Sequence, residues 1–280
     1  MGIYHRPGKV KDALAVLAAS NARPVAGCTD VFAAMENQEL SGDVVDVTRL
    51  QELKGVREDS DGWRIGAATT WREISQLEMP RAFEMLLQSG REIGGVQVQN
   101  SGTIGGNICN ASPAADGVPP LLALDASVEL MSVRGTRYIR LNDFLTGAGR
   151  SVCQKDELVS AILIPKSSGT GHSRFLKLGA RKHLVISIAM VAVRLDVENS
   201  VIKTAAIAVG ACGPVAKRAF DLEIALIGAE VGEAAGLVSQ DNLASIIAPI
   251  SDIRATAEYR AEAALELIRR GLLDVAGSFA

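Results

Sequence analysis

A chain of 280 residues with 48% hydrophobic content holds enough apolar mass for two or three units sharing one body. Its net charge of −3, with no cluster of Lys and Arg, excludes a dedicated nucleic-acid binder. No apolar run approaches the about 18–20 residues that span a bilayer, and residues 1–9 lack the apolar segment of a secretory signal; the expectation is a cytoplasmic protein with no membrane span.

Val10, Ala13, Leu14, Val16 and Leu17 recur at helical spacing. Arg23-Pro24-Val25-Ala26 reads as a strand running into Gly27-Cys28-Thr29-Asp30. A second helix is expected over 31–38, with Thr29 or Asp30 capping it, and a strand over 43–47. That order suits a parallel unit. Residues 54–57 and 63–67 read as a hairpin around Asp59-Ser60-Asp61-Gly62, and Thr70-Trp71-Arg72-Glu73 as a capping box. A helix over 80–90 starts with Pro80. Residues 93–120 then show little regular pattern and many small side chains, and loops of such length inside a compact domain are usually functional.

Strands resume over 127–133, 137–139 and 158–164. The Ser- and Gly-rich connector 165–171 is the expected domain boundary. Beyond it, 174–179, 188–197 and 203–210 read as strands, with 183–195 open between strand and helix. Helices are expected over 217–227, 238–246 and 255–275, the last carrying one apolar face.

The four cysteines, Cys28, Cys109, Cys153 and Cys212, form no CxxC pair, so the chain offers neither a disulfide framework nor a zinc or iron–sulfur site; they read as free, reduced thiols. Neither GxGxxG nor GxxxxGK[ST] occurs. Two other glycine loops take their place: Gly27-Cys28-Thr29-Asp30, and Gly102-Thr103-Ile104-Gly105-Gly106-Asn107 with its continuation Ile108-Cys109-Asn110-Ala111-Ser112-Pro113-Ala114-Ala115-Asp116. Successive glycines let backbone N–H groups converge on an anion, hydroxyls from Thr29 and Thr103 add donors, and a helix after Asp30 would present its positive end. Two such nests suit an extended, dianionic ligand.

These loops closely resemble the two FAD loops of molybdenum-hydroxylase flavin subunits, the family of xanthine dehydrogenases, aerobic carbon monoxide dehydrogenases and bacterial N-heterocycle dehydrogenases. Supporting likenesses run from His5-Arg6-Pro7 through Arg64-Ile65-Gly66-Ala67, Glu157-Leu158-Val159 and Lys177-Leu178-Gly179-Ala180-Arg181-Lys182 to the closing helix around Tyr259-Arg260. The resemblance implies an α+β fold: a vanillyl-alcohol-oxidase-type (PCMH-type) FAD-binding domain of two subdomains, 1–52 and 53–166, and a small C-terminal α+β domain of antiparallel sheet and helices, 172–280. It implies FAD held by Val25, Ala26, Gly27, Cys28, Thr29, Asp30 and Val31 on one wall and by Thr103, Ile104, Gly105, Gly106 and Asn107 on the other. Ile93, Asp116, Val159 and Lys177 match further cofactor-touching positions, Lys177 near the flavin ring.

By the same resemblance this chain performs no substrate chemistry. A large subunit with a molybdopterin cofactor hydroxylates an N-heteroaromatic substrate of purine or pyridine type. Electrons then pass through two 2Fe-2S clusters of a small subunit to FAD and on to NAD, oxygen or another acceptor, in a dimer of heterotrimers. Carbon monoxide or aldehyde chemistry on the large subunit, or a stand-alone flavin oxidase, are the alternatives. Two departures stand out. Cys28 occupies a position where bacterial relatives have Gly, which costs about 1 kcal/mol if φ is positive there, and Gln99 stands where Arg is common.

Overall fold

Helix α1 (Val10–Ala19) buries Val10, Ala13, Leu14 and Leu17, the i, i+3, i+4, i+7 stripe of its sequence, against Val45, Val47 and Leu50. In this computed structural model, which describes residues 2–34 and 42–279, that helix covers a small parallel sheet. Strands β1 (Tyr4–His5), β2 (Arg23–Val25) and β3 (Val44–Asp46) lie in the order β1-β3-β2, every pairing parallel. The helix expected over 31–38 is only partly within view. Phe32 and Ala34 donate to the carbonyls of Cys28 and Asp30, a helical turn without a continuous helix, and 35–41 lie outside the described residues.

The second sheet is antiparallel, in the order β4-β5-β10-β6-β7. Strands β4 (Val56–Glu58) and β5 (Gly62–Gly66) form the expected hairpin, followed by β6 (Ser127–Ser132) and β7 (Gly135–Arg140). A two-strand ribbon of β8 (Leu145–Gly147) and β9 (Arg150–Ser151) precedes the central strand β10 (Leu158–Pro165). Helix α2 (Trp71–Ser75) begins at the predicted capping box: Thr70 accepts from the Glu73 N–H while the Glu73 carboxylate accepts from the Thr70 N–H. Helix α3 (Glu84–Glu92) follows a 3₁₀ turn over Arg81–Phe83.

The irregular stretch expected over 93–120 is instead three short helices, α4 (Val96–Ser101), α5 (Ile104–Asn110) and α6 (Val118–Ala123). Six or seven residues rich in Gly, Asn and Ser do not form a helix on propensity. Here the buried side chains of Ile104, Ile108 and all six residues of α6 lock them into the main core. Helix α7 (Leu141–Phe144) closes that core from below β7.

Strands β11 (His172–Leu178), β12 (Ala189–Glu198), β13 (Val201–Gly210) and β14 (Lys217–Arg218) form a third, antiparallel sheet in chain order. It separates two cores. Phe175, Met190, Ala192, Ala206 and Ala208 face the core of the second sheet, whereas Val191, Val193, Leu195, Ile207 and Val209 face helices α8 (Phe220–Leu226) and α9 (Ala257–Ala276). A strand buried on both faces shows a continuous apolar run, and for that reason 183–195 reads ambiguously in sequence. The helix expected over 238–246 does not form; a 3₁₀ segment, Val231–Leu237, is followed by irregular turns. Among the described residues no helix is long and apolar enough to cross a membrane.

Two arginines of the third sheet fasten it to the second unit. Arg194 Nε donates to the Ala123 carbonyl at 3.1 Å, and Arg218 Nη1 to the Leu122 carbonyl at 3.1 Å and Asp125 Oδ1 at 2.7 Å. These groups lie at the negative, C-terminal end of α6. Arg218 also makes a fork with Glu223, at 2.6 and 2.7 Å, and both side chains are buried. Removing one partner strands a buried charge. Arg218→Met is expected to lower stability by about 3–5 kcal/mol in urea denaturation, and Arg218→Met/Glu223→Leu to recover most of the loss; a single variant as stable as the parent would refute this.

Candidate functional site

The strand β2 ends at Val25, and the chain then runs directly against the turn between α4 and α5. A Cβ built on Gly27 would stand 1.8 Å from the Ser101 carbonyl oxygen and 2.9 Å from the Gly102 nitrogen, so no other residue fits. The two glycine loops are therefore in contact. Cys28 adopts φ +55°, the left-handed region that its departure from Gly put in question. After that reversal the chain enters the helical turn of 29–34. Among the described residues no group accepts from the backbone N–H of Cys28, Thr29, Asp30 or Val31. A left-handed residue leading into a helical turn leaves successive N–H groups without partners, an arrangement that suits an anion.

The second loop works differently from its sequence reading. Thr103 caps α5, accepting from the Gly106 N–H at 3.0 Å. Ile104 donates to the Thr69 carbonyl at 3.0 Å, Gly105 to the Ala67 carbonyl at 2.9 Å and Asn107 to the Thr103 carbonyl at 3.0 Å. The N–H groups of 104–107 are thus already bonded, so these residues do not form the expected anion nest. The glycines serve close approach instead. A Cβ on Gly105 would stand 2.6 Å from the Ala67 Cβ, so Gly105 lets α5 lie on the end of β5. Around Gly106 only Thr103 Oγ1, at 2.9 Å, comes near, and its bare Cα faces open space.

That space is a cleft of ≈ 1050 Å³, the upper end of the size that takes an extended organic ligand. Val25, Ala26, Gly27, Cys28, Thr29, Asp30 and Val31 form one wall; Thr103, Gly105, Gly106 and Asn107 form the other; Ile93, Asp116 and Val159 close the remaining side. Two expected residues do not line it. Ile104 is fully buried in the core, because the face of α5 opposite Gly106 packs on the second sheet. Lys177 sits behind Asp116, its ammonium 2.6 Å from Asp116 Oδ2 and 3.4 Å from the Glu92 carbonyl. Burial pushes the Asp116 carboxyl up, while Lys177 and a hydrogen bond from Ser187 pull it down. Gln99 donates to the Arg91 carbonyl at 2.9 Å, a structural bond that needs no charge.

Sequence reading missed Cys109 and Asn110, three and four residues past Gly106 on the same face of α5, and Leu184, Val185 and Ile186 from the C-terminal unit. The first pair was recoverable had α5 been recognised; the second had no signal. Three free thiols, Cys28, Cys109 and Cys153, line the cleft. Desolvation by the cleft walls pushes Cys109 up to about 12 and Cys153 up to about 11. The Cys28 thiol is also raised, first by burial and then by Asp46.

Residues 1–167 match the FAD binding domain in molybdopterin dehydrogenase, and residues 174–275 the CO dehydrogenase flavoprotein C-terminal domain. The chain is 31% identical over 263 residues to the xanthine dehydrogenase FAD-binding subunit of Escherichia coli O157:H7, covering 92% of this chain and 90% of that one. It is 30% identical over 275 residues to the nicotine 6-hydroxylase medium subunit of Paenarthrobacter nicotinovorans, covering 97% and 96%. Among solved structures, a chain of the carbon monoxide dehydrogenase from Hydrogenophaga pseudoflava that lacks the Mo-pyranopterin moiety superposes with a TM-score of 0.89 at 28% identity, covering 99% of this chain and 97% of that one.

Two predictions test this geometry. Cys28→Gly relieves the left-handed strain and is expected to raise stability by about 1 kcal/mol, a Tm gain of about 2–4 °C in a thermal scan; a lower Tm contradicts it. Thiolate is the reactive form of cysteine, so iodoacetamide labelling of Cys109 in the cofactor-free chain at pH 8, read by mass spectrometry, should run on the order of a hundredfold slower than that of a free cysteine and accelerate as pH rises. Labelling at the free rate would show that desolvation does not govern this thiol.

Proposed function

The chain belongs to the family of FAD-binding domains in molybdopterin dehydrogenases, and we propose that it is the FAD-carrying electron-transfer subunit of a three-subunit molybdenum hydroxylase. The observation that carries this reading is one cleft lined both by Cys28, Thr29, Asp30 and Val31, whose N–H groups have no partner among the described residues, and by the bare Cα of Gly106. A diphosphate seated on those N–H groups leaves room along the cleft for a nucleoside on one side and a ring system on the other. The residues fit the group in a second respect: Asn107 lines the cleft, and its buried side-chain oxygen has no donor, so the amide has bonding capacity left unfilled.

On this reading 25–31 hold the pyrophosphate and 103–107 form the opposite wall, Gly106 by allowing contact rather than by donating. Ile93 and Val159 supply apolar contacts, and Asp116 meets the ring with Lys177 acting through it. Bound FAD supplies storage for electrons between an iron–sulfur donor and an acceptor such as NAD or oxygen. The donors are two 2Fe-2S clusters on a small subunit, and a large subunit carries the molybdopterin cofactor; the assembly is a dimer of such heterotrimers in the cytoplasm. Each of 1–52, 53–166 and 172–280 carries one main sheet, which supports that division into units. The xanthine and nicotine relatives favour an N-heteroaromatic substrate for the large subunit. Likeness to carbon monoxide dehydrogenase over 99% of the chain favours the second reading, a medium subunit for carbon monoxide or aldehyde chemistry.

The purified chain is expected to be yellow, absorbing near ~450 nm, and to release FAD on denaturation. Gly106→Val should weaken FAD binding at least about tenfold, with unchanged circular dichroism. A folded, colourless chain indifferent to added FAD would overturn the reading. Isolation from its source with a molybdenum subunit and an iron–sulfur subunit is expected; FAD-dependent oxidase activity of the isolated chain would contradict the subunit role.

A further inference from the structure

The carboxylate of Asp116 is held from two directions, and both holders come from the C-terminal unit. Lys177 on β11 bonds Oδ2 at 2.6 Å, and the Ser187 hydroxyl donates to Oδ1 at 2.5 Å. Ser187 and Asp116 are buried, and the Lys177 side chain is 8% exposed, so the three form a dry knot beside the cleft. Ser187 also ends a loop. From Gly179 the chain leaves β11, turns, and returns at Ile188, whose N–H donates to the Leu178 carbonyl at 2.7 Å. Inside it, the Arg181 guanidinium donates to the Leu184 carbonyl, and Leu184 takes φ +52°.

This loop reaches across to the second unit. The Leu184 Cδ2 lies 2.9 Å from where a Cβ on Gly95 would stand, and Leu184, Val185 and Ile186 line the cleft. Leu184 and Ile186 are nonetheless exposed, as apolar side chains waiting on a ligand surface would be. Within the loop the bonds are local; Ser187 ties it to the side of the cleft that Asp116 closes.

We propose that Ser187 is a positioning residue: through Asp116 it straps 179–186 across one end of the cleft and fixes the carboxylate that faces the bound flavin. The proposal rests on the FAD reading for its second half only. A hydrogen bond to a buried carboxylate is strong enough that its loss loosens both partners. Ser187→Ala deletes the donor without adding bulk, Ser187→Thr keeps it, and Asp116→Asn removes the charge while leaving Lys177 in place.

The test uses the full chain. Without FAD, trypsin cleavage after the exposed Arg181 and Lys182 is expected to be about tenfold faster in Ser187→Ala than in the parent, with Ser187→Thr close to the parent. With FAD, Ser187→Ala should bind about tenfold more weakly. Measured against a reference dye, the flavin midpoint potential should move positive in Ser187→Ala, because a carboxylate that loses a donor takes up a proton more readily, should move further positive in Asp116→Asn, and should stay at the parent value in Ser187→Thr. Recovery of the potential by Ser187→Thr, which keeps the donor, is not what a general loosening produces. Equal cleavage in the parent and Ser187→Ala overturns the proposal whether or not FAD binds, and so does faster cleavage with unmoved affinity and potential. A parent chain that binds no FAD overturns the functional reading instead, and the trypsin arm then decides the strap alone.

Discussion

Where Gly27 crosses Ser101 the chain leaves no space for even a methyl group. Much of the cleft follows from that crossing. It presses the end of the parallel sheet onto the α4–α5 turn, so the nest at 28–31 and the bare Cα of Gly106 stand on facing walls. A residue with a Cβ at 27 would drive these two segments apart. The walls then differ in kind. One offers unpaired N–H groups, and the other, with the backbone donors of 104–107 already used, offers mainly proximity. On the proposed reading an anion is held by a single wall, and the opposite wall limits what else enters.

The remaining side depends on the third sheet, which is buried on both faces and cannot shift without disturbing two cores. Arg194 and Arg218 bond the carbonyl end of α6, and Lys177 and Ser187 hold Asp116 a few residues before that helix begins. Both ends of one short helix are therefore fastened to the C-terminal unit. That unit does more than append mass: it supplies Leu184, Val185 and Ile186 to the cleft and sets the charge environment of Asp116.

Local pattern made α1, the β4–β5 hairpin and the Thr70 capping box readable from sequence, because each is specified within a few residues. The loops at 25–31 and 103–107 were readable as glycine-rich, and most of their residues do line the cleft. Their hydrogen-bond roles were not, since the donors of 104–107 are consumed by Thr69, Ala67 and Thr103, partners that only tertiary contact supplies. The helices α4 to α6 escaped for the same reason: two glycines within α5 oppose helix formation, and burial of Ile104 and Ile108 overrides them. Nothing in Arg181-Lys182-His183-Leu184-Val185-Ile186 signals a cleft wall, because its placement hangs on a contact 71 residues away.

The thiols show how the same cleft suits charge transfer without competing chemistry. A thiolate beside a diphosphate would repel it, and a nucleophile beside an electron-accepting ring would react with it. Desolvation prevents both. With Cys109 pushed up to about 12 and Cys153 up to about 11, the wall stays protonated and neutral, and Cys28, raised by burial and by Asp46, does the same within the nest. Cysteine then behaves as a small polarizable side chain. Cys109 is exposed at the cleft surface, yet the surrounding walls desolvate its thiol, so the surface it contributes carries no negative charge of its own.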